Sequence, residues 1–527
     1  MSHVVTRSFA DIRTALLQQQ EVALIDVREE APFAEEHPLF AANIPLSKLE
    51  LEIYARVPRR DTAITVYDDG EGLAQVAAER LLRLGYSNVA LLAGQLAGWR
   101  NAGGELFRDV NVPSKAFGEL VESQRHTPSL AAEEVQALLD AKADVVVLDA
   151  RRFDEYQTMS IPTGISVPGA ELVLRARELA PNPATRIIVN CAGRTRSIIG
   201  TQSLVNAGVP NPVAALRNGT IGWTLAGQQL EHGQSRRFGE VSASNHEQAA
   251  QSARAVADKA GVGRATLEHL ASWQAQPART TYLFDVRTPE EYEAGHLPGS
   301  RPTPGGQLVQ ETDHFASVRG ARIVLADDDG VRANMSASWL AQLGWDVHVL
   351  NNLPPSAFSE TGAWPAPLPA LPQAEEISPH TLQTWLAAGD TVVIDFTTSA
   401  NHVKRHIAGA HWAIRAQLPQ ALENLPVAER YVLTCGSSLL ARFVVSELHT
   451  LTGKPVFLLA GGNAAWFAAG LPDESGEQHL AVPRSDRYRR PYEGTDNPRE
   501  AMQGYLDWEF GLVEQLGRDG THGFRVI

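Results

Sequence analysis

Two thiols, Cys191 and Cys435, are the only cysteines in this 527-residue chain. Each stands first in a short loop between an apolar run and a helix-like stretch. Cys191 opens Cys191-Ala192-Gly193-Arg194-Thr195-Arg196-Ser197. A cysteine at the carboxyl end of a strand, just before a helix, faces a ring of backbone N–H groups. Successive N–H donors form an anion nest, and the helix N-terminus adds positive potential. Both favour thiolate over thiol. Gly193 permits the tight turn. Arg194 and Arg196 add charge and match the geometry of an oxyanion such as a sulfonate. Thr195 and Ser197 are small donors within reach of a terminal sulfur. Such a pocket suits a nucleophilic sulfur that alternates between thiolate and persulfide. A buried cysteine can also be a small apolar filler, but the Gly and two Arg that follow Cys191 argue for chemistry. The Cys435 loop, Cys435-Gly436-Ser437-Ser438-Leu439-Leu440-Ala441, has no Arg inside it; Arg442 lies just beyond. Its backbone nest still forms, with less stabilisation of the sulfur, so Cys435 is the second catalytic candidate.

The elements that position these loops repeat four times. Each copy opens with an apolar strand ending in Asp, at Asp26, Asp149, Asp285 and Asp395. A second apolar strand leads to Asp68, Cys191, Asp327 and Cys435, which follow the first Asp by 42, 42, 42 and 40 residues. A helix-like stretch, a Gly and a third strand come next. A Gly-x-x-x-Trp-like signal closes three copies at Trp99, Trp223 and Trp466; Phe358 stands there in the third. Short apolar runs alternating with helical patterns predict βα units and a mostly parallel sheet. Continuous apolar runs such as DVVVLDA predict helices on both faces. Open sheets of this kind place their sites at the carboxyl ends of strands, where both cysteines fall.

Copies one and three carry Asp at the cysteine position. A carboxylate forms no persulfide, so neither runs cysteine chemistry. Their Asp clusters read as solvated turn residues, with hard-cation binding as the alternative. The modules are expected at 1–108, 128–236, 263–370 and 374–475. Polar or Pro-rich linkers separate them, of which the second reads as partly helical. A tail from 476 to 527 is expected to hold one helix and to pack on the last module or on a neighbour, in a structural role. The order inactive, active, inactive, active suggests a doubled two-module enzyme. That places the Cys191 pocket near the interface between copies one and two.

Composition bounds the partners. Apolar content is 44%, charged content 20% and net charge −15. That is ordinary for a globular chain of several domains and argues against a nucleic-acid binder, which needs a basic face. No run approaches the ~18 apolar residues of a membrane span, and the N-terminus lacks a signal-peptide pattern. Two cysteines make neither a disulfide framework nor a cysteine-rich metal site, and free thiols fit a reducing cytoplasm. No cofactor or metal is expected.

The repeat resembles the rhodanese module. The carriers are the Asp-x-Arg turns (Asp26-Val27-Arg28, Asp149-Ala150-Arg151, Asp285-Val286-Arg287), the segment Glu291 to Gly299 with its His-Leu-Pro-Gly, the cysteine loop and the Gly-x-x-x-Trp ending. The fourth copy departs, with Asp395-Phe396-Thr397 in place of the turn. The resemblance implies four tandem α/β modules, each a mostly parallel five-stranded sheet flanked by helices. It implies transfer of sulfane sulfur from thiosulfate or a related small donor to a thiol or cyanide, and extends to a protein acceptor. By position Cys191 is then nucleophile and persulfide carrier. The amides of Ala192 through Ser197 cradle the sulfur, and Arg194 and Arg196 bind the anionic part of the donor. Asp149 and Arg151 form a structural pair beneath the site, with Arg151 counted among the donor-binding residues. Arg217 reaches toward the pocket rim. Two other readings compete. One is a Cys-dependent phosphatase, disfavoured because Cys191 to Arg196 is a short Cys-x4-Arg ring. The other is a largely non-catalytic scaffold or sulfur-binding docking protein.

Overall fold

The computed structural model describes residues 4–527. Four five-stranded sheets share one topology, with sequence-ordered strands in the spatial order 1-5-4-2-3. In the second copy this order runs Ser129–Leu130, Val213–Leu216, Arg186–Asn190, Val145–Asp149, Ile165–Ser166. Every neighbour in these sheets pairs in parallel. The mostly parallel expectation is met fully. An antiparallel ladder, His406–Ile407 with Asp473–Glu474, stands apart from the fourth sheet. Central strands are buried along their length, as their unbroken apolar runs require: Ala23–Asp26, Ile64–Tyr67 and Arg322–Ala326 expose no residue.

Register fixes where the loops open. Asp149 lies beside Asn190, the last residue before Cys191, and Asp395 lies beside Thr434, the last before Cys435. Each copy thus sets its strand-end Asp next to the start of its loop. From the loop a helix returns across the sheet: Thr195–Asn206 in copy two, Leu439–Thr452 in copy four.

The segments between the sheets are structural members. The first linker forms the helix Val112–Arg125, with Pro113 in its first turn, where a missing N–H costs nothing. Val112, Ala116, Phe117 and Val121 form its buried face. The second linker forms an 18-residue helix, Ala243–Ala260. One continuous core joins residues of the first and third modules, both linker helices, and Leu512, Leu516 and Phe524 of the tail.

The tail holds two helices rather than the expected one, Arg499–Phe510 and Leu512–Asp519, separated at Gly511. It packs on the last module, as expected, and then runs on over the other three. Ala481 and Val482 join the core of the fourth module. Tyr488 and Arg490 then bond Glu30 of the first. Met502, Tyr505 and Leu506 pack on Ile221 of the second, and Arg525 and Ile527 bond Gln342 of the third.

Modules two and three meet through the turn Gly169–Glu171 and the helix Gly305–Gln310, where a Cβ on Gly306 would lie 3.0 Å from the Gly169 amide. Modules one and four meet through the corresponding turns, with the Ala416 amide donating to Ser47 Oγ at 3.1 Å. Buried ion pairs seal both contacts: Arg332–Glu171 at 2.9 Å and Arg415–Glu50 at 2.8 Å.

Candidate active site

The Cys191 loop owes its shape to carbonyls that are claimed from outside. The amide of Thr220 donates to the Cys191 carbonyl at 2.9 Å, and that of Ile221 to the Ala192 carbonyl at 3.0 Å. The Thr220 hydroxyl adds a bond to Ala192 at 3.1 Å. With its carbonyls drawn outward, the loop turns N–H groups inward. The close approach needs Gly219, which has φ 55°; a Cβ there would sit 2.3 Å from the Cys191 carbonyl oxygen. The fourth copy repeats this with Gly462 (φ 62°) and Asn463, whose amide donates to the Cys435 carbonyl at 2.9 Å.

All four copies aim one amide at the same spot. In copy one, Ala74 N–H donates to Asp68 Oδ2 at 2.9 Å, and Gly70 N–H to Oδ1 at 2.9 Å. In copy three, Ala333 donates to Asp327 Oδ2 at 2.8 Å, and Gly330 to Oδ1 at 3.1 Å. In copy two the amide six residues on, at Ser197, faces Cys191 sulfur. In copy four the amides of Ala441, Leu440 and Ser437 face Cys435 sulfur. Asp68 and Asp327 are therefore buried in the ring of loop amides, not solvated turn residues, and burial together with Asp329 pushes the Asp327 carboxyl up. No group of His, Cys, Asp and Glu among the described residues has a metal-binding arrangement.

Cys191 is 1% exposed. Its Sγ lies 3.3 Å from Ser197 Oγ, which donates to the Arg194 carbonyl at 2.8 Å. The sequence predicts a lowered thiol pKa. Burial instead pushes the thiol up; Arg196 and the Ser197 hydroxyl and amide pull it down without overcoming the desolvation. Burial likewise raises Cys435, which is 6% exposed.

The two loop arginines are already paired. Arg194 makes a fork to Glu119 (2.7 and 2.8 Å), bonds Glu122, and lies 4.3 Å over the Phe510 ring. It ties the loop to the linker helix and the tail. Arg196 makes a fork to Glu155 at 2.7 and 2.9 Å. Burial pushes the Glu155 carboxyl up, but the Arg196 charge outweighs it and brings it to about 2. Arg332 and Glu291 repeat the Arg196–Glu155 fork in the third copy. Arg151 is buried, with its fork on Asp149 (2.9 and 2.8 Å) and a bond to the Met159 carbonyl at 2.6 Å. Arg217 is exposed and donates to Ser129 Oγ at 3.2 Å. Ala192, Gly193 and Thr195 are buried within the loop. Arg151 and Arg196 line a cleft of about 790 Å³ between modules two and three and the tail.

The surroundings of the loop were not legible beforehand. The loop does not face the sheet of the first module. It faces the helix that follows that module, with Gly118 against Thr195, and the first tail helix. The space at Gly193 is bounded by Tyr505 and Glu509, and Thr195 Oγ1 lies 3.5 Å from Glu509 Oε1. In contrast, Gly436 and Ser437 of the fourth loop are exposed. There His402 Nδ1 takes the place of the missing Arg, 2.9 Å from Asp395 Oδ2. Only the seven-residue spacing from Asp395 could have suggested it.

Comparison with known proteins fits this geometry. The Rhodanese-like domain model matches residues 10–102, 131–226, 266–352 and 378–469. Among curated proteins, none matches. The crystal structure of thiosulfate sulfurtransferase from Pseudomonas aeruginosa is 77% identical with TM-score 0.99, covering 99% of this chain and 100% of that one. Two shorter structures align with about one module each. The BH2092 protein from Bacillus halodurans is 19% identical (TM-score 0.19; 21% of this chain, 80% of that one). A full-length protein from Lactobacillus plantarum is 27% identical (TM-score 0.17; 19% and 87%). With four family domains in one chain, and one sheet topology in all four, this protein belongs to the rhodanese family.

Proposed function

We propose that this rhodanese-type sulfurtransferase moves sulfane sulfur from thiosulfate, or a related anionic donor, to a thiol or cyanide through a persulfide on Cys191. One observation carries the reading. The nest that closes on carboxylate oxygens in copies one and three closes on cysteine sulfur in copies two and four. A nest whose amides donate to a fixed carboxyl oxygen in one copy is suited to stabilise a transient negative sulfur in another.

The Cys191 thiolate attacks the outer sulfur of the donor. The new S–S bond forms as the donor's own S–S bond breaks, and sulfite leaves with the bonding pair. An acceptor thiolate or cyanide then attacks the terminal sulfur and regenerates the Cys191 thiolate. The Ser197 amide stabilises the negative sulfur, the Ser197 hydroxyl joins it by turning its hydrogen from the Arg194 carbonyl to the sulfur once the thiol proton has left, and Arg196, neutralised by Glu155, steadies the loop beside it. Cys435, on an open loop, is a second carrier of the same kind.

Thiosulfate:cyanide transfer tests the reading beside aryl-phosphate hydrolysis. In a Cys435→Ser background, Cys191→Ser is expected to lower sulfur transfer at least ten-fold, with no phosphatase activity in the parent. Equal transfer by this variant, or strong phosphatase activity, contradicts it.

A further inference from the structure

Glu509 is the one acidic side chain that the tail sets against the Cys191 loop without a basic partner in hydrogen-bond contact. It is fully buried. Its Oε1 accepts the Tyr505 hydroxyl at 2.9 Å and lies 3.5 Å from Thr195 Oγ1. Its Oε2 has no hydrogen-bond partner, and the position a Cβ on Gly193 would take lies 3.5 Å from it. A buried polar atom left unpaired costs about 1–3 kcal/mol. The arrangement makes sense if a ligand bound at the loop supplies the missing partner.

We propose that Glu509 is a donor-positioning residue of the Cys191 site, whose Oε2 holds an oxygen of the anionic sulfur donor by donating a hydrogen bond as a neutral carboxyl. The inference rests on Cys191 being the sulfur carrier, and it makes the tail part of the site. The groups facing Glu509 favour the neutral form. Burial raises its pKa most, and Glu119 of the linker helix adds to that. Lys115 of the same helix, Tyr505 of the tail and Arg194 of the loop oppose them; the balance stands at about 8. Cys191 of the loop feels Glu509 in turn, which pushes its thiol up, and Tyr492 of the tail packs edge-on against Tyr505. Lys115 is spent on Asp109 at 2.6 Å, and Arg194 on Glu119 and Glu122. At neutral pH Oε2 therefore carries a proton and offers it to an oxyanion. Once ionised, Glu509 offers no proton and repels a dianion.

The test uses the full chain in a Cys435→Ser background, so that any persulfide belongs to Cys191. Persulfide formation from thiosulfate is timed by intact mass in single-turnover mixing from pH 6.5 to 9.5. The ratio of the Glu509→Gln rate to the parent rate is divided at each pH by the ratio of their Cys191 iodoacetamide alkylation rates, because Glu509 itself raises the Cys191 thiol and the division removes that effect. The divided ratio is expected to rise by about ten-fold per pH unit above pH 8, because only the parent loses its donor. Tyr505→Phe removes a hydroxyl that stabilises the carboxylate, and should delay the parent's loss to higher pH. A divided Glu509→Gln to parent ratio that does not change with pH overturns the proposal. So does an unmoved onset in Tyr505→Phe, which stands on its own if the Gln variant does not fold. If Cys191 in the parent gains no sulfur at any pH, the assignment of Cys191 fails instead.

Discussion

At the scale of the residue, the four loops compare one backbone with two occupants. Asp68 uses both carboxylate oxygens to satisfy loop amides. Asp68→Ala strands those two donors, and about 2 kcal/mol is expected to be lost. Asp68→Asn keeps an acceptor oxygen and should lose less. Thermal unfolding of both variants against the parent checks this; equal melting of all three contradicts it. Glu509 yields a second prediction. Its carboxyl is raised from about 4.5 to about 8 by burial. The folded state therefore holds a proton that the unfolded chain releases across that window, and stability contributed by the neutral form is lost as pH rises through it. Glu509→Gln should thus gain stability over the parent on going from pH 5 to pH 8.5, on the order of 1 kcal/mol per pH unit at most. Melting curves at those two pH values read the difference; a gain that shrinks with pH contradicts the sign.

At the scale of the element, the contrast lies in what covers each loop. The linker helix Val112–Arg125 and the tail helix Arg499–Phe510 enclose the Cys191 loop, and Arg194 pins both by Glu119, Glu122 and the Phe510 ring. Nothing comparable encloses Gly436 and Ser437. In the folded protein Cys435 should be alkylated faster than Cys191. Arg194→Ala should speed alkylation of Cys191 about ten-fold and leave Cys435 unchanged. Timed iodoacetamide labelling followed by peptide mapping measures both rates, and a Cys191 rate unaffected by Arg194→Ala contradicts the clamp.

This is also the level at which the sequence was least legible. The strands, the strand-end Asp residues, the cysteine loops and their return helices could all be read, because each rests on neighbours within one module. The helix of the first linker was legible in principle: Val112, Ala116, Phe117 and Val121 share one face behind Pro113. The partners of the loop were not. Glu119 lies 75 residues from Arg194, and Glu509 lies 314 from Thr195. No periodicity links such pairs, so Arg194 and Arg196 looked free to bind a donor when both were already paired. The raised thiol has another reason: the loop motif shows the nest and its charges but not the desolvation, which pushes up Cys435 in the open loop as well as Cys191.

At the scale of the whole molecule, active-type and Asp-type modules are paired across the chain. Module two meets module three, and module four meets module one, through the same short turn. Arg415 is buried between Glu50 and Glu447. Arg415→Ala leaves Glu50 with only Arg80, at 3.4 Å. Removing one partner of a buried pair typically costs about 3–5 kcal/mol, so the fourth module should loosen first. Limited proteolysis is expected to cut near residues 360–375 in this variant before the parent is cut, and an unchanged digestion pattern contradicts the role of the pair. The tail crosses all four modules and ends the assembly at Gln342, which makes the Cys191 site a property of the whole chain.

The central claim is that Cys191 carries the sulfur. Intact-mass analysis of the full chain after incubation with thiosulfate, followed by mapping of the Cys191 and Cys435 peptides, tests it most directly. The account predicts a gain of one sulfur on the Cys191 peptide, removed by cyanide. A chain that gains no sulfur, or gains it on the Cys435 peptide alone, contradicts it.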